Sequence, residues 1–364
     1  MPDMRFAPAP ALLAQTGSGG LNQTNLRSHN ERLILDLLRR GGTLTRFEIG
    51  QTSGLSAQTI SVLVRALLRE GLLIEGEAHR GRVGPPTTPF SLNPEGAFAI
   101  GVYAGHQVID LCCLDFIGTL RQCRRVEIDT SRAIEDALGE ACADFLAELD
   151  DSIRSRCIGI GVGLSGSPGR EDAAETIEGR LVGLTNLPCF ILDDATSAAT
   201  GEMLFGDRSH PDSFAFAHVG MTTTLRVVLN GQAQSPMRNG VLPLMGLDGL
   251  SDALRKQGHD TTSLYMTGQL PSGAADVAEE WIAVVATDLK ASMLRLLAVL
   301  DLPLLVVVGP LESLLLQRIA DTFADIIAGL GIPISTAIGH NAQFAKASGA
   351  AAFVLATRFS QNRG

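Results

Sequence analysis

Lysine is nearly missing from this chain. Of 29 basic residues in 364, only three are lysines, at positions 256, 290 and 346, and none follows a glycine. A phosphate-binding loop of the Gly-Lys-Ser/Thr kind is therefore excluded. The seven histidines (29, 79, 106, 210, 218, 259 and 340) never pair at metal-binding spacing. The six cysteines (112, 113, 123, 142, 157 and 189) form no C-x-x-C pair and mostly lie in apolar runs. They read as reduced, buried thiols of a cytoplasmic protein. No apolar run is long enough to span a membrane. The most apolar stretch, 294–316, is interrupted by Asp301, Pro303, Gly309, Pro310 and Glu312, and reads as a buried strand between two helices. Residues 1–20 hold Pro2, Pro8, Pro10 and a Gly-Ser-Gly-Gly run, without a basic start and apolar core. They read as a flexible tail and not as an export signal.

What is present fits a folded protein of two or three domains, with 45% apolar and 19% charged residues. The charge is uneven. Residues 21–84 carry nine arginines against six acids, a net of +3, which leaves −13 on the remainder of a chain whose total is −10. A small basic head on an acidic body is expected where only the head meets a polyanion.

The head, 21–93, reads as three helices and a hairpin. Leu26, Leu33, Ile34, Leu37 and Leu38 form one stripe on a first helix that stops at Gly41-Gly42. Thr45-Arg46-Phe47-Glu48 has the spacing of a capping box and opens a short second helix. Gly54 supplies a tight turn, and Ser56 caps a third helix ending near Gly71. Ile60, Leu63, Val64, Leu67 and Leu68 make its inner face, so Gln58, Thr59, Ser61, Val62 and Arg65 face outward. This is the helix-turn-helix plan, with the last helix in the major groove. Gln58 suits an adenine edge, Arg65 a guanine or phosphate, and Arg46, Ser56, Thr59 and Ser61 either bases or phosphates. Runs at 72–74 and 90–92 flank a loop containing Arg80 and Arg82, a wing whose arginines reach phosphates or a narrow minor groove. The pattern alone also fits a three-helix protein-interaction module.

Beyond Pro94 the pattern changes. Strand-like runs at 98–103, 107–114 and 119–128 precede a helix over 133–155, strands at 158–164 and 189–192, and a helix at 195–205. The order then partly recurs, with strands at 213–219 and 224–229, a helix over 277–300, a strand at 304–308, a helix over 311–330, a strand at 332–338 and a helix over 342–356. The expected fold class is α/β: a winged helix-turn-helix followed by two lobes, 94–205 and 206–364, with a cleft between them. The final helix is expected to return to the first lobe. Gly161-Val162-Gly163-Leu164-Ser165-Gly166 matches a dinucleotide fingerprint in letters only, because its glycines lie inside a strand and Pro168 follows where a helix should begin. Ser165 lacks the closing glycine and following helix of a nucleophile elbow.

The arrangement resembles the ROK family (repressors, open reading frames and sugar kinases), in its repressor branch related to the xylose and N-acetylglucosamine repressors. The resemblance rests on the head at 21–71, on Ala99-Ile100-Gly101-Val102, on Ile158-Gly159-Ile160-Gly161-Val162, and on the segment from Asp193 to Glu202, which is similar to the family's N-D-A-N-x-A-A-x-G-E. It implies an actin-like ATPase (RNase H-like) fold in the body and sugar-responsive gene regulation. Several positions depart from the family. Tyr103 stands where the first phosphate loop opens with Asp. Gly220-Met221-Thr222-Thr223-Thr224 replaces G-T-G-I-G, and Pro243-Leu244-Met245-Gly246-Leu247 replaces the sugar- and zinc-binding G-E-I-G-H. The family's zinc-binding cysteine cluster is absent. Asp194 matches the family's catalytic base, with Asp193 and Thr196 in place of its two asparagines, and Thr185-Asn186-Leu187 resembles a sugar-contacting segment.

The reading is thus a regulator, expected to repress, that binds double-stranded DNA at a palindromic operator as a homodimer or homotetramer. The body is expected to be catalytically inactive, with Asp194 a remnant and neither cofactor nor metal required. A sugar-like effector would meet Asp193, Asp194, Thr196 and Asn186. The residues of Asp194 leave N-capping of the next helix and effector contact both open. An active sugar kinase with a regulatory head is the alternative.

Overall fold

The computed structural model describes residues 23–78, 87–105, 107–128, 132–164, 170–234 and 244–361. The head comprises α1 (Gln23–Gly41), β1 (Leu44–Thr45), α2 (Arg46–Ser53), α3 (Ala57–Arg69), β2 (Leu73–Glu75) and β3 (Pro89–Leu92). Its three strands pair antiparallel in the order β1-β3-β2. The helix boundaries follow local chemistry. Thr45 accepts from the Glu48 N–H while Glu48 accepts from the Thr45 N–H, closing the capping box. Gly54 ends α2 at a φ of 70°, a conformation that only glycine adopts without strain. Ser56 caps α3 by accepting from the Thr59 N–H. Ile60, Leu63, Val64 and Leu67 are buried against Ile34, Leu38 and Phe90. The short β1 has no counterpart in the sequence reading.

The first lobe holds β4 (Phe98–Ala104), β5 (Val108–Asp115), β6 (Leu120–Glu127), α4 (Ile134–Glu148), α5 (Asp151–Arg154), β7 (Cys157–Leu164), α6 (Arg170–Thr185), β8 (Cys189–Asp193) and α7 (Asp194–Phe205). The second holds β9 (Phe214–Val219), β10 (Thr223–Leu229), β11 (Gln232–Ala233), α8 (Leu247–Lys256), α9 (Thr262–Met266), α10 (Ala275–Leu297), β12 (Leu304–Val308), α11 (Ser313–Ala328) and β13 (Ser335–Ile338). Sheet orders are β6-β5-β4-β7-β8 and β11-β10-β9-β12-β13. In each, two antiparallel hairpin pairings lead into parallel pairings at the first strand, so the lobes repeat one plan.

The last helix, α12 (Ala345–Phe359), leaves the second lobe and packs on the first-lobe sheet. A Cβ at Gly101 would stand 1.8 Å from the Ala347 carbonyl oxygen, and one at Gly161 would stand 2.2 Å from that of Ala350. The glycines of β4 and β7 are thus seats for a helix backbone, which accounts for the fingerprint-like spacing in β7.

Several boundaries differ from expectation. The helix expected over 133–155 is two helices, because Leu149 takes an extended conformation (ψ 143°). The strand expected from 332 starts at Ser335, beyond Pro333, which has no N–H to donate. The final helix begins with a 3-10 turn, Ala342–Phe344, and runs on to Phe359. Helices α6, α8 and α9 were not expected. The spacing of Leu247, Leu250 and Leu254, all buried, was the available signal for α8.

The head is docked on the body. Phe116 and Phe359 of the body, which meet edge-to-face at 4.8 Å, share one buried apolar cluster with Phe90 and Leu92 of the head. Arg39 donates to the Ser360 hydroxyl at 2.9 Å, the Gln361 N–H donates to Asp36 at 2.8 Å, and Arg156 donates to the Glu70 and Glu95 carbonyls at 3.2 and 2.6 Å.

Candidate functional site

Two regions concentrate the residues singled out by the sequence. On α3, Gln58, Val62 and Arg65 are exposed and separated by four and three residues, so they share one outward stripe, flanked by half-buried Thr59 and Ser61. Val62 is 52% exposed, an apolar group in the middle of a polar stripe. Arg65 is steadied by its Nε–H donating to the Ser61 carbonyl at 2.9 Å, which leaves its terminal nitrogens facing outward. The Ser56 hydroxyl lies 2.9 Å from that of Thr59, so these two form the start of the helix. The Arg46 guanidinium stacks over Phe90 at 4.6 Å and ties α2 to the wing strand β3. Phe47 is 69% exposed beside it, a feature the sequence reading did not single out. Arg80 and Arg82 lie outside the described residues.

The second region lies between the lobes. Here the capping reading of Asp194 is corrected. The N-cap of α7 is Asp193, whose carboxylate accepts from the Thr196 N–H at 2.8 Å and from its hydroxyl at 2.5 Å. Asp194 is the first helical residue. One of its oxygens accepts from the Ala195 N–H at 2.8 Å, and the other lies 2.6 Å from Nζ of Lys346 on α12. Both side chains are almost fully buried. Lys346 also lies over the Tyr103 ring, at 4.5 Å, and donates to its hydroxyl at 3.3 Å. Burial pulls the Lys346 ammonium down, but Tyr103 and Asp194 together outweigh it and the net shift is upward, toward a held charge. Sequence reasoning missed Lys346. Its signal was a rare lysine set in the Ala- and Gly-rich segment Ala345–Ala352.

A second pair lies beside it. Arg125 on β6 binds Asp110 on β5 through two parallel bonds of 2.5 and 2.9 Å. It also donates to the Tyr265 carbonyl of the second lobe at 3.1 Å and to the Gln343 carbonyl at 3.4 Å, so one buried guanidinium pins the lobes together. Burial raises the Asp110 carboxyl, against the pull of Arg125. His218 at the end of β9 is buried, and burial together with Lys346 holds it well below the usual histidine range, so it is neutral. The space left among Tyr103, Asp110, His218, Met221 and Lys346 is about 40 Å³. That is room for a few waters and not for a hexose. Leu247 lines this space and is buried in the second-lobe core, where Trp281 donates to the neighbouring Gly246 carbonyl.

The structure does not bring Asn186 to this group. Asn186 follows α6 in a left-handed turn (φ 56°), while Asp193 is the last residue of β8 and Asp194 follows it, about 15 Å along the strand. Among the described residues no cluster of three or more His, Cys, Asp or Glu side chains could hold a metal ion, and no helix is long and apolar enough to cross a membrane. The cysteines are unbridged. Cys112 and Cys123 face each other across β5 and β6 with sulfurs 3.3 Å apart.

Comparison with known proteins agrees with this layout. The profile of the ROK family matches residues 99–246, and that of winged helix-turn-helix DNA-binding domains matches residues 27–74. An uncharacterised protein of Sinorhizobium fredii, y4fQ, is 28% identical over 324 residues, 81% of each chain. The xylose repressor of Bacillus subtilis is 22% identical over 221 residues, so the match spans 57% of that repressor. A crystal structure of a ROK family transcriptional regulator, a homologue of the Escherichia coli MLC protein, superposes with a TM-score of 0.63 over 92% of this chain and 98% of its own, at 14% identity. That likeness is one of fold. The chain carries a winged helix-turn-helix domain in front of a ROK family domain.

Proposed function

We propose that this protein is a transcriptional repressor that binds a palindromic DNA operator through α3, and that its body serves oligomerisation and ligand response without catalysis. The observation that carries the proposal is the outward stripe of Gln58, Val62 and Arg65 on a capped, well-packed helix of the basic part of the chain. These groups present an amide fork, a methyl surface and a guanidinium, the chemistry that reads adenine, thymine methyl and guanine edges. The xylose repressors among its relatives support the reading. Arg46, Ser56, Thr59 and Ser61 would hold the phosphate backbone beside the reading face, and Arg80 and Arg82 would extend the contact from the wing. The working compartment would be the cytoplasm, and the active species a homodimer or homotetramer.

Within this reading Asp193 caps α7 through Thr196 and reaches Arg226 of the second lobe at 3.5 Å, and Asp194 is engaged by Lys346. In a sugar kinase the carboxylate at Asp194 would take a proton from the attacking hydroxyl, and charge on the phosphates would be neutralised by metal and loops. Here the ammonium of Lys346 already neutralises that carboxylate. Selection of binding sites from a random duplex library with the full chain tests the proposal. Enrichment of a two-fold symmetric site is the expected outcome, and no enrichment would refute it. An active sugar kinase is the second reading, motivated by Asp194. Sugar-dependent ATP hydrolysis that disappears in Asp194→Asn would establish it.

A further inference from the structure

The six cysteines are not equivalent. Cys112 on β5 and Cys123 on β6 are eleven residues apart in the chain, stand directly opposite each other in the antiparallel register, and bring their sulfurs to 3.3 Å. Directly opposed residues of such a pair have Cα atoms about 4.5 or 5.5 Å apart, within the span that a disulfide bridges. Closing the sulfurs to a bond of about 2.05 Å takes a small turn about each Cα–Cβ bond and no movement of the strands. The other four differ. Cys113 alternates to the other face of β5, opposite Gln122, and Cys113, Cys142, Cys157 and Cys189 are all buried.

The two facing sulfurs also differ in what can reach them. Cys112 is fully buried, and that burial, together with Cys123 and Asp110, holds its thiol well above the usual range, so it stays protonated. Cys123 is half-buried and lies on β6, the edge strand of its sheet. A small oxidant therefore meets Cys123 first, and Cys112 waits behind it as the resolving thiol. Two residues along the same face of each strand stand Asp110 and Arg125, again directly opposed. Arg125 is the guanidinium that donates to the Tyr265 and Gln343 carbonyls. The strand that presents it joins the sheet through β5 alone.

We propose that Cys112 and Cys123 form a reversible dithiol–disulfide site, oxidised by hydroperoxides through Cys123, and that the bridge locks β6 onto β5 beside the interlobe contact of Arg125. Cys123 gives up its proton, and its sulfur attacks one oxygen of hydrogen peroxide. The O–O bond breaks, the leaving hydroxide takes up that proton as water, and Cys123 is left as a sulfenic acid. The Cys112 sulfur then attacks the Cys123 sulfur. Its proton and the sulfenic hydroxyl leave as a second water. Two thiols and one peroxide thus give one disulfide and two waters, the sulfurs losing the two electrons that the O–O bond gains. A dithiol reductant reverses the bond by exchange. The site stands whether or not the protein binds DNA.

The test treats the reduced, folded full chain with excess hydrogen peroxide, beside Cys112→Ala and Cys123→Ala, and maps the cysteines by alkylation and mass spectrometry. The parent should lose two of its six thiols, recovered as one Cys112–Cys123 disulfide within a single chain and freed again by dithiothreitol. In Cys112→Ala the reaction should stop at the Cys123 sulfenic acid, trapped as its dimedone adduct. Cys123→Ala should keep all its remaining thiols. Amide hydrogen exchange over 120–127 should slow on oxidation of the parent and in neither variant. Six free thiols in the peroxide-treated parent would overturn the proposal. So would a disulfide between other cysteines or between chains, or a dimedone adduct elsewhere than Cys123. Exchange in β6 that is the same in the reduced and oxidised parent would overturn the lock.

Discussion

The recognition helix and the interlobe cleft treat polar side chains in opposite ways. On α3 the stripe of Gln58, Val62 and Arg65 faces solvent, so its side chains are free to meet a partner. In the cleft the charges face one another: Lys346 with Asp194, and Arg125 with Asp110. The outward set contributes little to folding and is available for recognition. The inward set is available for folding and closed to recognition until its pairs part. A family-like sequence segment therefore says less about activity than what its side chains are bonded to.

The sharpest way to break this contrast is to remove one partner inside the cleft. Lys346→Met should leave Asp194 buried without a counter-ion and destabilise the protein by about 3–5 kcal/mol in urea unfolding. Adding Asp194→Asn to Lys346→Met should restore much of that loss, because the orphaned charge is gone. A Lys346→Met protein as stable as the parent would mean that the two groups are not held as a buried ion pair. On the head, Gln58→Ala and Arg65→Ala should each cost about 1–3 kcal/mol of discrimination at one base pair of the selected site, with unfolding midpoints unchanged.

A smaller effect belongs to the junction. Burial raises the Glu202 carboxyl from its ordinary 4.5 to about 7. The folded protein therefore keeps a proton that the unfolded chain releases, so this group's contribution is complete below pH 4.5 and is lost as the pH rises toward 7. Above that the loss is constant, on the order of 1–3 kcal/mol. Glu202→Gln should gain stability relative to the parent across that window, and a difference that does not change with pH would remove the assignment. Least of all, Thr45→Ala should cost about 1 kcal/mol by opening the capping box of α2, read as a lower melting temperature.

Much of the architecture was legible because it is local. Thr45 with Glu48, Gly54 and Ser56 each act within four residues, and the sequence placed α2, the turn and the start of α3 from them. The apolar spacing of α3 showed which face is buried, whereas on α1 it found Ile34 and Leu38 but missed Leu35. What was not legible depends on contacts between distant residues. Lys346 is 152 residues from Asp194, and Arg125 is 140 from Tyr265. Nothing in a linear reading brings them together. Asn186 was misplaced for the same reason in reverse: eight residues from Asp194 in the chain, it lies at the other end of a strand. Asp194 was the cap expected from the sequence, and only the observed helix start gives that place to Asp193, one residue earlier.

The central claim is that the exposed face of α3, and not the interlobe carboxylate, does the protein's work. The most direct test is the affinity of the full chain for its selected duplex, measured across a salt series for the parent, the double variant Gln58→Ala/Arg65→Ala, and Asp194→Asn/Lys346→Met. The account predicts that the head variant loses its preference for the selected duplex over random DNA, and that the cleft variant retains it. Specificity that survives in the head variant, or vanishes only in the cleft variant, would contradict it.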